Sequence, residues 1–235
     1  MKYTFLGQAG FLIESGDVKI IVDPYLSDSV FKVNPKNYRR APIDESYFDV
    51  DPDFLLITHN HLDHYDPESA PVFLAKEKAI TVLGPTSVWN EARKNGGNHN
   101  YVEFNAGTEW TEKGLRFTAV KAVHSDPYAI GFVIEELCSG EKIWLTGDTL
   151  YSKALLDGIP EGLLAIFLPI NGVGNNMNAT DAARLAKESG AKVAVPIHFG
   201  MFDEIDPRVF DLPNAVIPEI YKEVNIGGNS CRKNK

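Results

Sequence analysis

Apolar residues arrive along this chain in short runs, not in long helical stripes. Residues 2–7, 10–15 and 18–23 each carry a run of strand length, broken by glycine or a charged residue, which predicts three strands. Ser15-Gly16-Asp17 supplies a tight turn between the second and third. The third run, Val18-Lys19-Ile20-Ile21-Val22-Asp23, ends on a carboxylate just before Pro24. From 25 to 52 the periodicity fades, and a loop of that length inside a compact domain tends to be functional or mobile. The run Phe54-Leu55-Leu56-Ile57 then predicts a buried strand that stops abruptly at Thr58.

A helix is predicted over 67–78, with Asp66 as cap and Pro67 at its first position. A strand over 79–83 follows, then a helix over 85–95 opened by Pro85 and closed by Gly96-Gly97. The second half returns to strands at 101–104, 108–111, 115–123 and 130–137. Lys142-Ile143-Trp144-Leu145 leads into Thr146-Gly147-Asp148, so a carboxylate stands at the end of an apolar run. A short helix over 151–157, a strand over 163–170, a helix capped by Asn178 and stopped by Gly190, and a strand over 192–197 complete the pattern. His198 follows the last strand directly, and 202–235 carries a short helix and a polar end expected to fray. The order predicts one α/β domain, 1–235, with helices outside two sheets and similar halves at about 1–114 and 115–235. Tight turns between the early strands favour mixed sheets over a purely parallel one.

Composition changes this picture little. The 235 residues are 44% hydrophobic and 23% charged, an ordinary globular balance with a core to bury. A net charge of −9 argues against general nucleic-acid or anionic-membrane binding. Gln8 and Glu14 interrupt the apolar start, and no run reaches the length of a membrane span, so a soluble cytoplasmic protein is the default expectation. Two cysteines far apart in sequence, Cys138 and Cys231, with no CxxC pattern, predict no disulfide framework. The oligomeric state stays open, a homo-oligomer included.

Chemistry concentrates in Thr58-His59-Asn60-His61-Leu62-Asp63-His64, which holds three of the six histidines. Residues two apart on extended chain share a face, so His59 and His61 can converge, with Asp63 and His64 turned back from the following turn. Imidazole nitrogens and a carboxylate together suit a divalent transition metal. His124, Asp148 and His198 also stand at the ends of apolar runs, and ligands gather beyond strand ends in layered α/β folds. A single histidine of this kind is usually structural; four strand ends bringing ligand types to one rim is hard to explain by packing. Asp23 could be a turn former before Pro24 or an acceptor that steadies the histidine loop. Lys32, Lys36, Arg39 and Arg40 fall in a stretch without acids, either a solvated basic loop or a lid offering guanidinium groups to an anion. His99, in a polar run, is expected to be an exposed loop histidine.

The elements His59-Asn60-His61-Leu62-Asp63-His64, His124, Thr146-Gly147-Asp148 and Pro196-Ile197-His198, with Asp23 ahead of them, resemble the signature of the metallo-β-lactamase superfamily. That resemblance implies a four-layer αβ/βα sandwich of two mixed β-sheets flanked by helices. It implies a first metal on His59, His61 and His124, and a second on Asp63, His64 and His198, with Asp148 bridging. One or two ions are implied, zinc or manganese, with iron also compatible with an all nitrogen and oxygen set. Asp23-Pro24-Tyr25-Leu26-Ser27-Asp28, His124-Ser125-Asp126-Pro127, Leu168-Pro169-Ile170-Asn171-Gly172 and 176–182 are similar to the L-ascorbate-6-phosphate lactonase branch.

The resemblance implies hydrolysis of a lactone or ester of a small anionic substrate, such as a phosphorylated sugar, by a metal-activated hydroxide. Asp63 could orient that hydroxide and accept its proton, and Arg39 and Arg40, or the loop with Asn175 and Asn176, could hold the substrate; turn chemistry and capping are the other reading of the two asparagines. Two other readings use the same residues. A two-metal clamp also serves a phosphodiesterase or nuclease, although the acidic balance weighs against long nucleic acids. A non-catalytic metal-binding module is the third, against which stands the complete set of ligand-type residues.

Overall fold

The computed structural model describes residues 1–227; the polar end at 229–235 and Cys231 lie outside the described residues. Among the described residues twelve strands form two six-stranded mixed sheets, in the orders β1-β2-β3-β4-β5-β6 and β12-β11-β10-β9-β8-β7. The first sheet holds β1 (Lys2–Gly7), β2 (Gly10–Ser15), β3 (Val18–Val22), β4 (Phe54–Leu56), β5 (Thr81–Gly84) and β6 (Asn100–Glu103). The second holds β7 (Glu109–Glu112), β8 (Leu115–Lys121), β9 (Ile130–Glu136), β10 (Glu141–Leu145), β11 (Ala165–Pro169) and β12 (Val193–Ile197). Each sheet starts as an antiparallel meander and ends in parallel strands. Because β7 pairs with β8, the chain changes sheets at 104–108, a little before the division the sequence pattern suggested.

The principal core lies between the sheets. Phe11 packs edge-on to Phe167 with centroids 5.0 Å apart, and Phe54 meets Phe117 at 4.8 Å, so each pair joins one sheet to the other. Alternation explains why β4 reads as unbroken apolar sequence. Phe54 and Leu56 face the inter-sheet core, while Leu55 and Ile57 face a second cluster containing Phe73, Leu74 and Val88.

The four α-helices among the described residues are short: α1 (Ser29–Val33), α2 (Ala70–Leu74), α3 (Thr86–Ala92) and α4 (Ala179–Ser189). The helix expected over 67–78 is trimmed to α2. Pro71 has no N–H to donate and fits only a first turn, so the helix begins beside it. The Asp66 carboxylate meanwhile accepts from Ser27 Oγ (2.9 Å), Glu68 N–H (3.1 Å) and Ser69 Oγ. By contrast α4 follows its pattern. Asn178 Oδ1 accepts the Asp181 N–H at 2.9 Å, Ala182, Leu185 and Ala186 are buried, and Gly190 closes the helix in the left-handed region. The loop 25–52 contains α1 and a 3-10 turn at Glu45–Asp49. No helix among the described residues is long and apolar enough to cross a membrane.

Candidate metal centre

Strand ends deliver the ligand-type residues to one rim. Asp23 follows β3 with φ 39°, and its buried carboxylate organises the loop after β4. Oδ1 accepts the Thr58 N–H at 2.8 Å; Oδ2 accepts the Thr58 hydroxyl at 2.6 Å and lies 2.8 Å from His64 Nδ1. Thr58 Oγ1 in turn lies 3.0 Å from His59 Nδ1. With both Nδ1 atoms engaged on this side, the Nε2 atoms of His59 and His64 are left for the interior. Both are buried without a hydrogen-bond partner, and so is Asp148 Oδ1.

Three unpartnered buried polar atoms at one point are costly unless something of opposite character joins them. Two nitrogen lone pairs and a carboxylate oxygen fit a cation. The surrounding atoms sort themselves accordingly. His59, His61 and His124 each offer a ligand atom within 4.8 Å of the other two; Asp63, His64 and His198 do the same; His59, His64 and Asp148 form a third such group between them. His124 Nε2 lies 3.1 Å from His61 Nδ1, and Asp148 Oδ2 lies 3.1 Å from His198 Nε2 and 3.4 Å from His64 Nε2. The seven residues singled out in the sequence therefore meet at one place, and either triad could hold a metal ion.

Charge is divided unevenly across the centre. Burial pushes the His59 ring towards neutrality, and neighbouring His64 adds to that; burial also lowers His124. For His64 burial acts the same way, but Asp148, Asp23 and Asp63 outweigh it and hold the ring well above its ordinary value. His198 is raised to about 9, with Asp148 and Asp63 overcoming the burial of its ring. In return burial would raise Asp63 and Asp148, but His64 and His198 keep both carboxyls below the usual range. Ionised carboxylates and neutral imidazoles are the forms a metal takes, so His59, His124, Asp63 and Asp148 are ready for an ion, while His64 and His198 would release a proton on binding one. Groups pushed apart in this way cluster at functional sites.

A supporting ring fixes these groups. Asn176 Nδ2 donates to Asp148 Oδ2 at 2.8 Å, and the Asn175 carbonyl lies 3.2 Å from His124 Nδ1. The Asp126 carboxylate accepts from Asn60 N–H (3.2 Å), Ser87 Oγ (2.5 Å) and Tyr128 N–H (2.9 Å), binding the histidine loop to the segment after β8. Gly147 has φ 63°, and a Cβ there would meet Ile130 O at 2.6 Å and Thr58 Cβ at 3.1 Å. The missing side chain lets the Asp148 turn lie against the histidine loop.

His61, Asp63, Asp148 and His198 open into a cleft of about 400 Å³. Its other lining residues are Val30, Asn37, Phe202 and Asp203, the loop residues Asn171, Val173, Gly174, Asn175 and Asn176, and Ser125. The two asparagines named from the sequence thus line the cleft, although the Asn176 amide is already committed to Asp148. Arg39 and Arg40 are absent from the lining. Arg39 donates to the carbonyls of Tyr25 (2.7 Å) and Ala41 (2.9 Å) and to Tyr221 Oη (2.9 Å). Arg40 donates to the Asp203 carbonyl (2.9 Å), pairs with Glu204 and lies over the Tyr38 ring. Both guanidinium groups are engaged in holding the 25–52 loop, so of the two readings open from the sequence the structure favours the loop over the lid. His99 also departs from expectation. It is half-buried, with Nδ1 accepting the Ile80 N–H (3.3 Å) and Nε2 2.8 Å from the Leu74 carbonyl, a structural role away from the centre. Sequence reasoning passed over Gln8, whose amide donates to Asp63 Oδ2 at 2.7 Å. Its one signal was a polar side chain between Gly7 and Gly10 in an otherwise apolar stretch.

Comparison with known proteins identifies the family and the fold. The family model described as "Beta-lactamase superfamily domain" matches residues 19–199. The chain is similar to a UPF0173 metal-dependent hydrolase of Methanopyrus kandleri, 32% identical, with 89% of this chain and 90% of that protein covered. A UPF0173 metal-dependent hydrolase of Thermoplasma acidophilum is 30% identical over 96% of this chain and 99% of its own length. Among solved structures, the metallo hydrolase Igni18 of Ignicoccus hospitalis shares the fold with a TM-score of 0.72 at 22% identity, covering 95% of this chain and 97% of that one.

Proposed function

This chain belongs to the metallo-β-lactamase superfamily and within it to the UPF0173 metal-dependent hydrolases, and from that premise we propose that it hydrolyses a lactone or ester of a small substrate held in the cleft. The observation that carries the reading is the set of orphaned atoms, His59 Nε2, His64 Nε2 and Asp148 Oδ1, between two ligand triads. His59, His61 and His124 would hold one divalent ion and Asp63, His64 and His198 a second, with Asp148 shared; zinc or manganese suits these nitrogen and oxygen donors. Ions bound there supply a water of lowered pKa and polarise a carbonyl oxygen.

The chain's own groups do the rest. Asp63 is kept ionised by His64 and His198 and is half-open to the cleft, so its carboxylate can orient a water and accept its proton. Asn176 holds Asp148 in place. Asn37, Asn171 and Asn175 offer neutral amides to a bound substrate, and Val30, Val173 and Phe202 offer apolar surface that excludes water. No lysine or arginine stands among the lining residues, so the anionic group of a phosphorylated sugar would be recognised by the ions and these amides, not by Arg39 or Arg40.

The test is elemental analysis of the purified chain, then a hydrolase panel with zinc and with manganese. The panel sets sugar lactones, with and without phosphate, and simple esters against cyclic and linear phosphodiesters. Turnover confined to the carbonyl substrates is expected. Turnover confined to the phosphodiesters would move the assignment to phosphoryl transfer, and a chain that takes up no cation would end the metal reading.

A further inference from the structure

The turn between β1 and β2 holds a residue whose setting the ligand set does not explain. Gln8 stands at φ 53°, in the left-handed region that side chains rarely adopt, and is 1% exposed. A long amide is buried at a cost unless it is well partnered. Here its Nε2 donates to Asp63 Oδ2 at 2.7 Å, and the same nitrogen lies 2.9 Å from Nε2 and 3.2 Å from Nδ1 of His198.

The two ring distances decide what this contact is. An atom nearly equidistant from both imidazole nitrogens at that range cannot lie in the ring plane, because it would overlap the carbon between them. It lies over the ring face, an N–H contact to the π system. Gln8 therefore does not occupy the in-plane direction of His198 Nε2, which has Asp148 Oδ2 at 3.1 Å and Asp63 Oδ2 at 3.3 Å. The main chain adds a third hold: the Gln8 carbonyl accepts the His198 N–H at 2.7 Å, and His198 is itself left-handed, with φ 59°. Gln8 thus grips Asp63 by its carboxylate and His198 by ring face and backbone. Its hydrogen bonds fall on this side of the centre and not on His59, His61 or His124.

We propose that Gln8 is a positioning residue for the Asp63–His64–His198 half of the centre, setting the affinity of the second ion independently of the first. The inference rests on the metal reading above. Partners of this kind usually contribute 10–100-fold to metal affinity, and the effect here falls on one triad.

The experiment titrates the metal-free full chain with zinc against a chromophoric chelator, comparing wild type with Gln8→Asn and Gln8→Gly. Both replacements accept a left-handed backbone, and neither amide nor hydrogen can reach Asp63 as the longer side chain does. The first equivalent should bind within about threefold of wild type, while the second weakens by roughly 10–100-fold. Cobalt(II) titration provides a spectroscopic check, with the absorption of the first equivalent kept and that of the second altered. Equal second-ion affinity in all three proteins would overturn the inference and leave the metal reading standing. So would loss of both ions in step, or a wild type that saturates with one ion. A wild type that takes up neither zinc nor, in a parallel titration, manganese or iron would remove the metal reading, and this inference with it.

Discussion

Asp23 Oδ2 and His64 Nδ1 face each other across 2.8 Å with both side chains buried. The same carboxylate takes the Thr58 N–H and hydroxyl, so one residue at the end of β3 sets both the tautomer of His64 and the path of the loop after β4. Asn in this place keeps the shape and tolerates φ 39°, but it puts an NH2 where one oxygen served two donors. Asp23→Asn should therefore lower zinc affinity by about 10–100-fold while the far-ultraviolet circular dichroism keeps its wild-type form. Unchanged affinity in a chelator competition would show that His64 needs no such orientation.

Gly147 makes a prediction about stability as well as the site. Alanine there adopts φ 63° at a cost of about 1–2 kcal/mol, and its methyl meets backbone Ile130 O at 2.6 Å, which cannot rotate away. A loss of about 2 kcal/mol or more is expected, which for a domain of this size lowers Tm by about 4–8 °C. Metal uptake should fall as well, because the Asp148 turn is pushed from Thr58. Differential scanning calorimetry of Gly147→Ala reads the first effect and elemental analysis the second; a melting temperature within a degree of wild type would refute the packing argument.

What the sequence made legible was what depends on near neighbours. Period-two and fully apolar runs located all twelve strands, because each strand's burial is written in its own residues. The metal constellation was legible because its ligands are rare residue types placed at strand ends. Partnership across the chain was not. Arg39 and Arg40 look like anion binders until Tyr25, Tyr221 and Asp203 are seen to receive them, and nothing near position 39 announces Tyr221. Gln8 is a single polar letter in a turn, and its meaning comes from His198, 190 residues away. Likewise Pro71 inside an apolar stretch shows where α2 must begin only once its lack of a donor is weighed against the pattern.

Asp53, far from the centre, predicts a pH effect. Its carboxylate is largely buried and accepts from Lys113 Nζ (2.5 Å) and the Lys19 N–H (2.9 Å), with Lys78 Nζ at 2.9 Å. Burial alone would raise its pKa, but the hydrogen bonds to Lys113, Lys19 and Lys78 outweigh it and hold the carboxyl below its ordinary value. A depressed folded-state pKa gives stability that is full above the unfolded value, near about 4, and is lost as pH falls through the folded value. Wild type should therefore exceed Asp53→Asn in urea unfolding by a constant margin from neutral pH down to about 5, and the margin should shrink below about 4. A margin that stays constant down to pH 3 would show that the ion pairs contribute nothing in the folded state.

The centre itself predicts how the fold responds to chelation. His59 Nε2, His64 Nε2 and Asp148 Oδ1 are buried without partners, and Asp63 and Asp148 are ionised side by side, so an ion bound there joins groups that otherwise oppose burial. The ligands come from β4, β8, β10 and β12, so the ion also cross-links the two sheets. A ligand that binds only the folded chain stabilises it by about 2.7 kcal/mol at a hundredfold excess over Kd. For this length that is about 5–11 °C in Tm. Treatment with a chelator should lower the melting temperature by about that amount, and added zinc or manganese should restore it in a concentration-dependent way. Asp148→Asn, which weakens the group shared between the triads, should reduce the restored increment, while His99→Gln, outside the centre, should leave it intact. Identical melting with and without chelator, at every zinc concentration, would mean that these seven residues hold no ion in the folded chain.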